Sequence, residues 1–170
     1  MILLVDIGNT RVKWATQVDG RLSPQRAAGY AQWSAVDWQH ELFDGPPVER
    51  VLAATVAGGD SRQALETAAR KAGTRRVDFV TSTAALAGVR NAYPDPGLLG
   101  VDRWVAVIGA YHLAQAACCV VDVGTAATLD VVDASGQHLG GFIVPGPQLM
   151  VRSLHVGTNN LAAYTAASPV

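Results

Sequence analysis

A duplicated α/β fold, each half opening with a three-strand meander, is the architecture this sequence predicts. Three observations predict it. The chain opens MILLVDIGNTRVKWATQVDG, and CVVDVGTAATLDVVDASG later repeats its pattern of an apolar run into Asp-x-Gly. Asp6 maps to Asp122, Gly8 to Gly124 and the turn glycine Gly20 to Gly136, all at one offset (122 − 6 = 124 − 8 = 136 − 20 = 116) and without a gap. Between the two copies, strand-like apolar runs alternate with helix-like segments, the pattern of α/β folds.

Taken in order, residues 2 to 7, 10 to 18 and 24 to 30 read as strands, with a hairpin turn at Asp19-Gly20 between the latter two. A helix carrying Trp33, Val36, Trp38 and Leu42 follows. Residues 50 to 56 form an apolar strand. Asp60 or Ser61 can cap a helix that runs through Lys71, and Gly73 ends it. Arg76 to Val80 adds a strand, and NAYPDPGLLG (91 to 100) is a loop of two prolines and two glycines. A long helix from about Val101 to Gln115 leads into strands 117 to 123, 125 to 133 and 138 to 144, then a helix from Pro147.

The expected domains are therefore 1–116, a first α/β domain with its linking helix, and 117–170, a second. Two equal copies would need about 232 residues. The 170 present carry the second copy only to the equivalent of Ala54, so that domain is expected to be incomplete, by roughly 60 residues. A sheet left without its later strand and covering helices would expose an apolar face.

Composition limits the function. At 170 residues, 49% hydrophobic and 16% charged, the chain is globular, and disordered and fibrous classes are excluded. A net charge of −1 makes no broad case for nucleic acid or an anionic membrane, although a local basic patch stays open. Only Met1 to Val5 precede Asp6, so no signal peptide is expected, and no apolar run approaches the roughly 18 residues of a membrane span. Cys118 and Cys119 are adjacent and unsuited to a mutual bridge or a zinc site, so buried core thiols in a reducing cytoplasm are expected. His40, His112, His138 and His155 show no ligand spacing and read as surface or packing residues.

One Asp-x-Gly at a strand end is a common turn; two copies say more. Facing each other across a cleft, such hairpins would offer glycine-opened backbone N–H groups and the hydroxyls of Thr10 and Thr125 to a phosphate chain. Asp6 and Asp122 would repel those phosphates unless cations sat between them, which implies a metal-nucleotide ligand. Neither a P-loop nor a GxGxxG fingerprint is present. Lys13, on the strand after the first turn, fits a phosphate contact and a solvated surface equally. GGFIVPG (140 to 146) brings backbone close to a ligand and feeds a helix N-terminus suited to anions, or is simply a tight strand-to-helix turn. In GVDRW (100 to 104), Asp102 at a loop-helix junction can accept a hydroxyl proton during phosphoryl transfer or serve the helix dipole. Arg103 could hold an anionic substrate or be solvated.

As a set, DIGNTRVKW, GVDRW, DVGTAATLD and GGFIVPG resemble the type III pantothenate kinases of the actin, sugar kinase and Hsp70 superfamily. The likeness runs from Met1 to about Thr158. It implies duplicated RNase H-like (actin-like ATPase) domains and ATP-dependent phosphorylation of pantothenate to 4'-phosphopantothenate, the opening step of coenzyme A synthesis, in a bacterial cytoplasm. By motif, Asp6, Ile7, Gly8, Asn9, Thr10, Arg11, Val12 and Lys13, with Thr125, would bind ATP phosphates alongside Mg2+ or another divalent ion. Asp122 would bind a monovalent cation, K+ or NH4+. Tyr93, Gly100, Val101, Asp102 and Arg103 would line the pantothenate pocket, with Asp102 as proton acceptor.

The resemblance further implies a homodimer whose pantothenate site is completed across the interface, with neither nucleic acid nor membrane as a partner. The family's downstream segment, with a threonine that contacts pantothenate, has no counterpart here. At GTNNL (157 to 161), where some members carry a histidine, Gly157 and Thr158 stand, and no role is carried over. Because relatives include an accessory protein recognised by its effect on transcription, a regulatory binding role with little or no kinase activity is the alternative, followed by a different small-molecule kinase. Tyr93 with GVDRW favours pantothenate over the latter; against the former, no DNA-binding motif is visible.

Overall fold

A computed structural model describes residues 1–157, and the expectations that fall on residues 158–170 lie outside it. The chain divides into two compact units that interleave. One comprises Met1–Ala84 and Tyr93–Ala106; the other comprises Ala85–Ala92 and the chain from Val107 onward. This differs from a linear division after residue 116.

In the first unit, β1 (Ile2–Ile7) runs antiparallel to β2 (Arg11–Val18). The short strands β3 (Arg21–Leu22) and β4 (Arg26–Gly29) both pair with β2. On the other side β1 pairs in parallel with β5 (Arg50–Thr55), and β5 with β6 (Arg76–Phe79). Helices α1 (Ala35–Phe43) and α2 (Gly59–Lys71) fall between these strands in the chain. Alternation along β1 buries Leu3, Val5 and Ile7 with Val12, Trp14, Trp38, Leu42, Val51 and Leu65 in one core. Strand period two then puts Asp6 on the opposite face, half-buried.

Two details differ from the sequence reading. The turn at Asp19-Gly20, with both residues left-handed (φ 49° and 77°), joins β2 to β3 and not to residues 24 to 30 directly. A two-residue turn of this kind closes the ladder at Val18 and Arg21 at once, and the chain returns to β2 as β4 only after Pro24. Neither Asp60 nor Ser61 caps α2. The N-cap is Gly58, and the Ser61 hydroxyl instead donates to the Gly58 carbonyl at 2.8 Å, as serine inside a first turn can. Ser34 does cap α1, in a capping box with Asp37 that holds the Asp37 carboxyl below its usual pKa.

In the second unit, β9 (Cys118–Val123), β10 (Ala126–Val132) and β11 (His138–Pro145) form an antiparallel sheet with β10 central. Helix α3 (Val101–Ala114) begins in the first unit and ends in the second, and α4 (Pro147–Gly157) follows β11. A hairpin of β7 (Ala85–Leu86) and β8 (Val89–Arg90) also belongs here, and its two-residue strands carry no periodic signal. It docks on the turn at Gly136, where a side chain would collide with the Gly88 carbonyl and where φ is 78°. The Arg90 N–H donates to the Gly136 carbonyl at 2.8 Å.

The cysteines are a correction. Cys118 is half-buried and Cys119 is exposed, because β9 is an edge strand whose neighbours Val121 and Val123 are also largely exposed. Among the described residues, no helix is long and apolar enough to cross a membrane.

Candidate functional site

The first candidate segment is the turn from β1 to β2. Gly8 N–H donates to the Arg11 carbonyl at 3.0 Å, which folds Gly8, Asn9 and Thr10 outward. Asn9, Thr10 and Arg11 are exposed, whereas Ile7 and Val12 point into the core and can meet a ligand only through their backbone. Asp6 and Lys13 are register partners, and Lys13 Nζ lies 3.8 Å from Asp6 Oδ2 with both side chains about 40% exposed. Lys13 is therefore neither simply solvated nor isolated beside a phosphate: it screens the carboxylate that would otherwise repel one.

Tyr30, absent from the sequence reading, braces this turn. Its hydroxyl donates to the Gly8 carbonyl at 2.7 Å and lies 3.5 Å from the Asn9 carbonyl. Burial pushes its pKa up, so it remains a protonated donor. No local sequence signal marks it: β4 ends with Gly29 opposite Arg11 and delivers the next residue to the turn, a register that strand pairing alone sets.

The second segment is the turn from β9 to β10. Gly124 N–H donates to the Ala126 carbonyl at 2.8 Å, and Asp122, paired with Thr128, is exposed, as is Thr125. Gly146 N–H donates to the Thr125 carbonyl at 2.9 Å, and a side chain at Gly146 would collide with the Gly124 and Thr125 carbonyls. GGFIVPG is thus a tight strand-to-helix turn that also seats the start of α4 against the glycine turn. An anion there would meet backbone N–H groups and the positive end of a helix dipole.

The third segment is GVDRW. Asp102 and Arg103 occupy the first turn of α3, both half-buried, behind the loop whose Leu99 carbonyl accepts the Ser82 hydroxyl at 2.7 Å. Asp102 Oδ1 accepts the Arg103 N–H at 2.8 Å. A Cβ on Gly100 would lie 2.6 Å from that same oxygen, so the carboxylate folds back over a position that glycine alone leaves open. Trp104, fully buried, anchors the turn. Tyr93 is half-buried in the preceding loop.

Sequence reasoning also missed a buried pair. His138 Nε2 lies 3.0 Å from Asp130 Oδ1, with both side chains at most 2% exposed, and the Ala92 N–H reaches His138 Nδ1 at 3.4 Å. His138 is a packing residue of a polar kind, a role with no local sequence signal.

Among the described residues, no group of three or more His, Cys, Asp or Glu side chains is placed to hold a metal ion. Asp122 is exposed opposite Thr128 in the strand register, and its carboxylate oxygens are of the kind that suits a hard cation. A cavity of about 370 Å³ in the first unit is lined by Trp14, Arg26, Glu41 and Pro46 among others, and includes no candidate residue.

Comparison with known proteins accords with this arrangement. A protein from Aromatoleum aromaticum named type III pantothenate kinase is 42% identical over 161 residues, covering 95% of this chain and 65% of its own length. One of the same name from Halorhodospira halophila is 39% identical over 168 residues, covering 95% and 66%. The chain thus spans just under two thirds of these relatives. Among solved structures, a protein from Sinorhizobium meliloti described as a 2-dehydro-3-deoxygalactonokinase superposes with a TM-score of 0.54 at 15% identity, over 99% of this chain and 60% of that one. That likeness speaks to the fold alone, a mixed α/β one. The type III pantothenate kinase family matches residues 2–169, nearly every position that carries the glycine turns and the GVDRW helix start, and the chain belongs to that family.

Proposed function

We propose that the full-length protein transfers the terminal phosphoryl group of ATP to the hydroxyl of pantothenate, the opening step of coenzyme A synthesis. The observation that carries this reading is Asp102, a carboxylate in the first turn of a helix, folded over Gly100 within GVDRW, in a chain matched to the family over residues 2–169.

The roles follow from the chemistry of each segment. Asn9 and Thr10 offer outward-facing backbone to phosphate oxygens, with Gly8 closing the turn and Arg11 and Lys13 as nearby cations; Asp6, Ile7 and Val12 hold the turn in register. Thr125 adds the second turn's hydroxyl. Bound with the nucleotide, Mg2+ or another divalent ion supplies the positive charge that phosphates near two carboxylates need. Asp122 is the candidate ligand for K+ or NH4+, its carboxylate oxygens suiting such an ion. Tyr93, Gly100, Val101 and Arg103 form the pantothenate pocket, with Arg103 opposite the substrate carboxylate. Oδ1 of Asp102 is held by the Arg103 N–H, and its second oxygen accepts the hydroxyl proton as the phosphoryl group departs from ATP.

The same reading takes the two meanders as copies of one actin-like unit, in 1–116 and 117–170. It takes the working protein as a cytoplasmic homodimer. The turn glycines support the copy relation, since Gly20 and Gly136 both stand at φ near 78° at the same offset as the motifs.

The deciding experiment measures ADP release with and without pantothenate in the full-length protein and in Asp102→Asn, alongside thermal stability and a K+ titration. A positioned base predicts turnover lowered about 10²- to 10⁴-fold with the fold retained. ATP turnover indifferent to pantothenate would sink the substrate. Normal turnover in the variant would remove Asp102 from the chemistry, and a flat K+ response would remove Asp122 from its role.

A further inference from the structure

The hydroxyl of Tyr30 bridges the first glycine turn to the core, and we propose that Tyr30 is a positioning residue for nucleotide binding: it fixes the peptide planes of that turn so that their N–H groups face the phosphates. The role rests on reading Gly8 to Thr10 as a phosphate-binding turn.

The geometry has three parts. First, the ring is packed on the core. It packs edge-on against Trp38 at 5.5 Å, and Trp38, only 3% exposed, packs edge-on against Trp33 at 5.2 Å. The Tyr30 carbonyl also accepts the Trp33 N–H at 3.0 Å, so the residue is held by backbone as well as ring. Second, the hydroxyl donates to Gly8 O at 2.7 Å. All peptides among the described residues are trans, so a carbonyl drawn towards Tyr30 turns the N–H of the same peptide, that of Asn9, the opposite way. Third, the Gly8 N–H to Arg11 bond closes the turn through the neighbouring peptide and uses neither the Gly8 carbonyl nor the Asn9 N–H, so the Tyr30 bond is the one that acts on the Gly8–Asn9 plane directly.

A turn with little side-chain bulk can flip a peptide plane readily, and a flipped plane would present a carbonyl oxygen to a phosphate. One bond from a half-buried, protonated tyrosine removes that choice before the ligand arrives, which is preorganisation. The hydroxyl touches no reacting atom. Its effect should therefore appear in nucleotide affinity and not in pantothenate affinity.

Tyr30→Phe keeps the ring and its packing and deletes only the donor. In the full-length protein, MgADP should bind about 5- to 20-fold more weakly and the KM for ATP should rise in parallel, the worth of about one lost positioning bond. The KM for pantothenate should stay within about twofold. Amide exchange at Gly8 should speed up about tenfold as the turn loosens. Trp38→Phe is the structural control: it disturbs the same cluster while keeping the hydroxyl, so it should lower thermal stability yet leave MgADP affinity within about twofold. Wild-type MgADP affinity in Tyr30→Phe would overturn the proposal, as would an equal loss in Trp38→Phe. A wild-type protein that binds no MgADP would overturn it together with the proposed function. If the wild type binds MgADP but does not phosphorylate pantothenate, a weakened Tyr30→Phe still supports the positioning role while the substrate assignment falls.

Discussion

In the first hairpin four residues, Gly8 to Arg11, join the paired positions Ile7 and Val12; in the second only three, Gly124 to Ala126, join Val123 and Ala127. The first is held from its flanks, by parallel β5 beside β1 and by the Tyr30 hydroxyl beneath the turn. The second is held from above, by Gly146 and the start of α4 against the turn carbonyls. Their charges differ in the same sense. Asp6 and Lys13 form a half-exposed pair, whereas the second meander encloses Asp130 and His138 completely. One motif in one register thus tolerates two kinds of support, because Asp-x-Gly specifies how the chain turns and not what it turns against.

The largest expected effect tests the buried pair. His138→Ala leaves the Asp130 carboxylate enclosed without that partner and should cost about 4 kcal/mol in denaturant unfolding. Lys13→Ala, at the half-exposed pair in the first meander, should cost less than about 1 kcal/mol because solvent already screens it. Equal costs would break the contrast.

Next comes the steric support of the turns. Gly146→Ala places a methyl group against two immovable carbonyls and should cost about 3 kcal/mol. Gly8→Ala meets Arg11 O at 3.3 Å and Gly124→Ala meets Ala126 O at 3.9 Å, so each should change stability by less than about 1 kcal/mol. A mild Gly146→Ala would mean that α4 does not brace the second turn.

The smallest effect is one of pH. The second meander's far turn is organised by Asp133, whose carboxylate accepts the Ser135 hydroxyl and the N–H groups of Gln137 and Ser135. The Ser135 hydroxyl bond, then the Gln137 N–H, hold its pKa below the ordinary carboxylate value. Stabilisation of this turn is therefore present above the ordinary carboxylate range and is lost as pH falls through the lowered value. The Asp19-Gly20 turn of the first meander relies on two left-handed residues instead. Amide exchange at Ser135 and Gln137 should accelerate on acidification relative to Val18 and Arg21, and Asp133→Asn should remove that difference.

Much of this molecule was legible before any coordinates. The bounds of β1, β2, β5 and β9 to β11 fall within a residue or two of the expected runs, and Asp102 lies in the first turn of a helix as GVDRW suggested. What escaped were features without local period. The β7–β8 hairpin is two residues a side, and Tyr30 reaches Gly8 across 22 positions. Gly146 finds its carbonyls across 21 positions (146 − 125), and Cys119 was misread because an apolar run cannot distinguish a central strand from an edge.

The sequence by itself determined the secondary elements, the two glycine turns in one register, and the segments where carboxylates stand at strand ends and a helix start. Those follow from interactions between residues a few positions apart: alternation, turn chemistry and backbone sterics. Only strand pairing and tertiary structure decided which partners the strand carboxylates have, Lys13 for Asp6 and His138 for Asp130, and which side chains brace the turns. Strand pairing and packing set those distances, and neither β4 beside β2 nor Gly146 against Thr125 is written in the spacing of the residues that meet there.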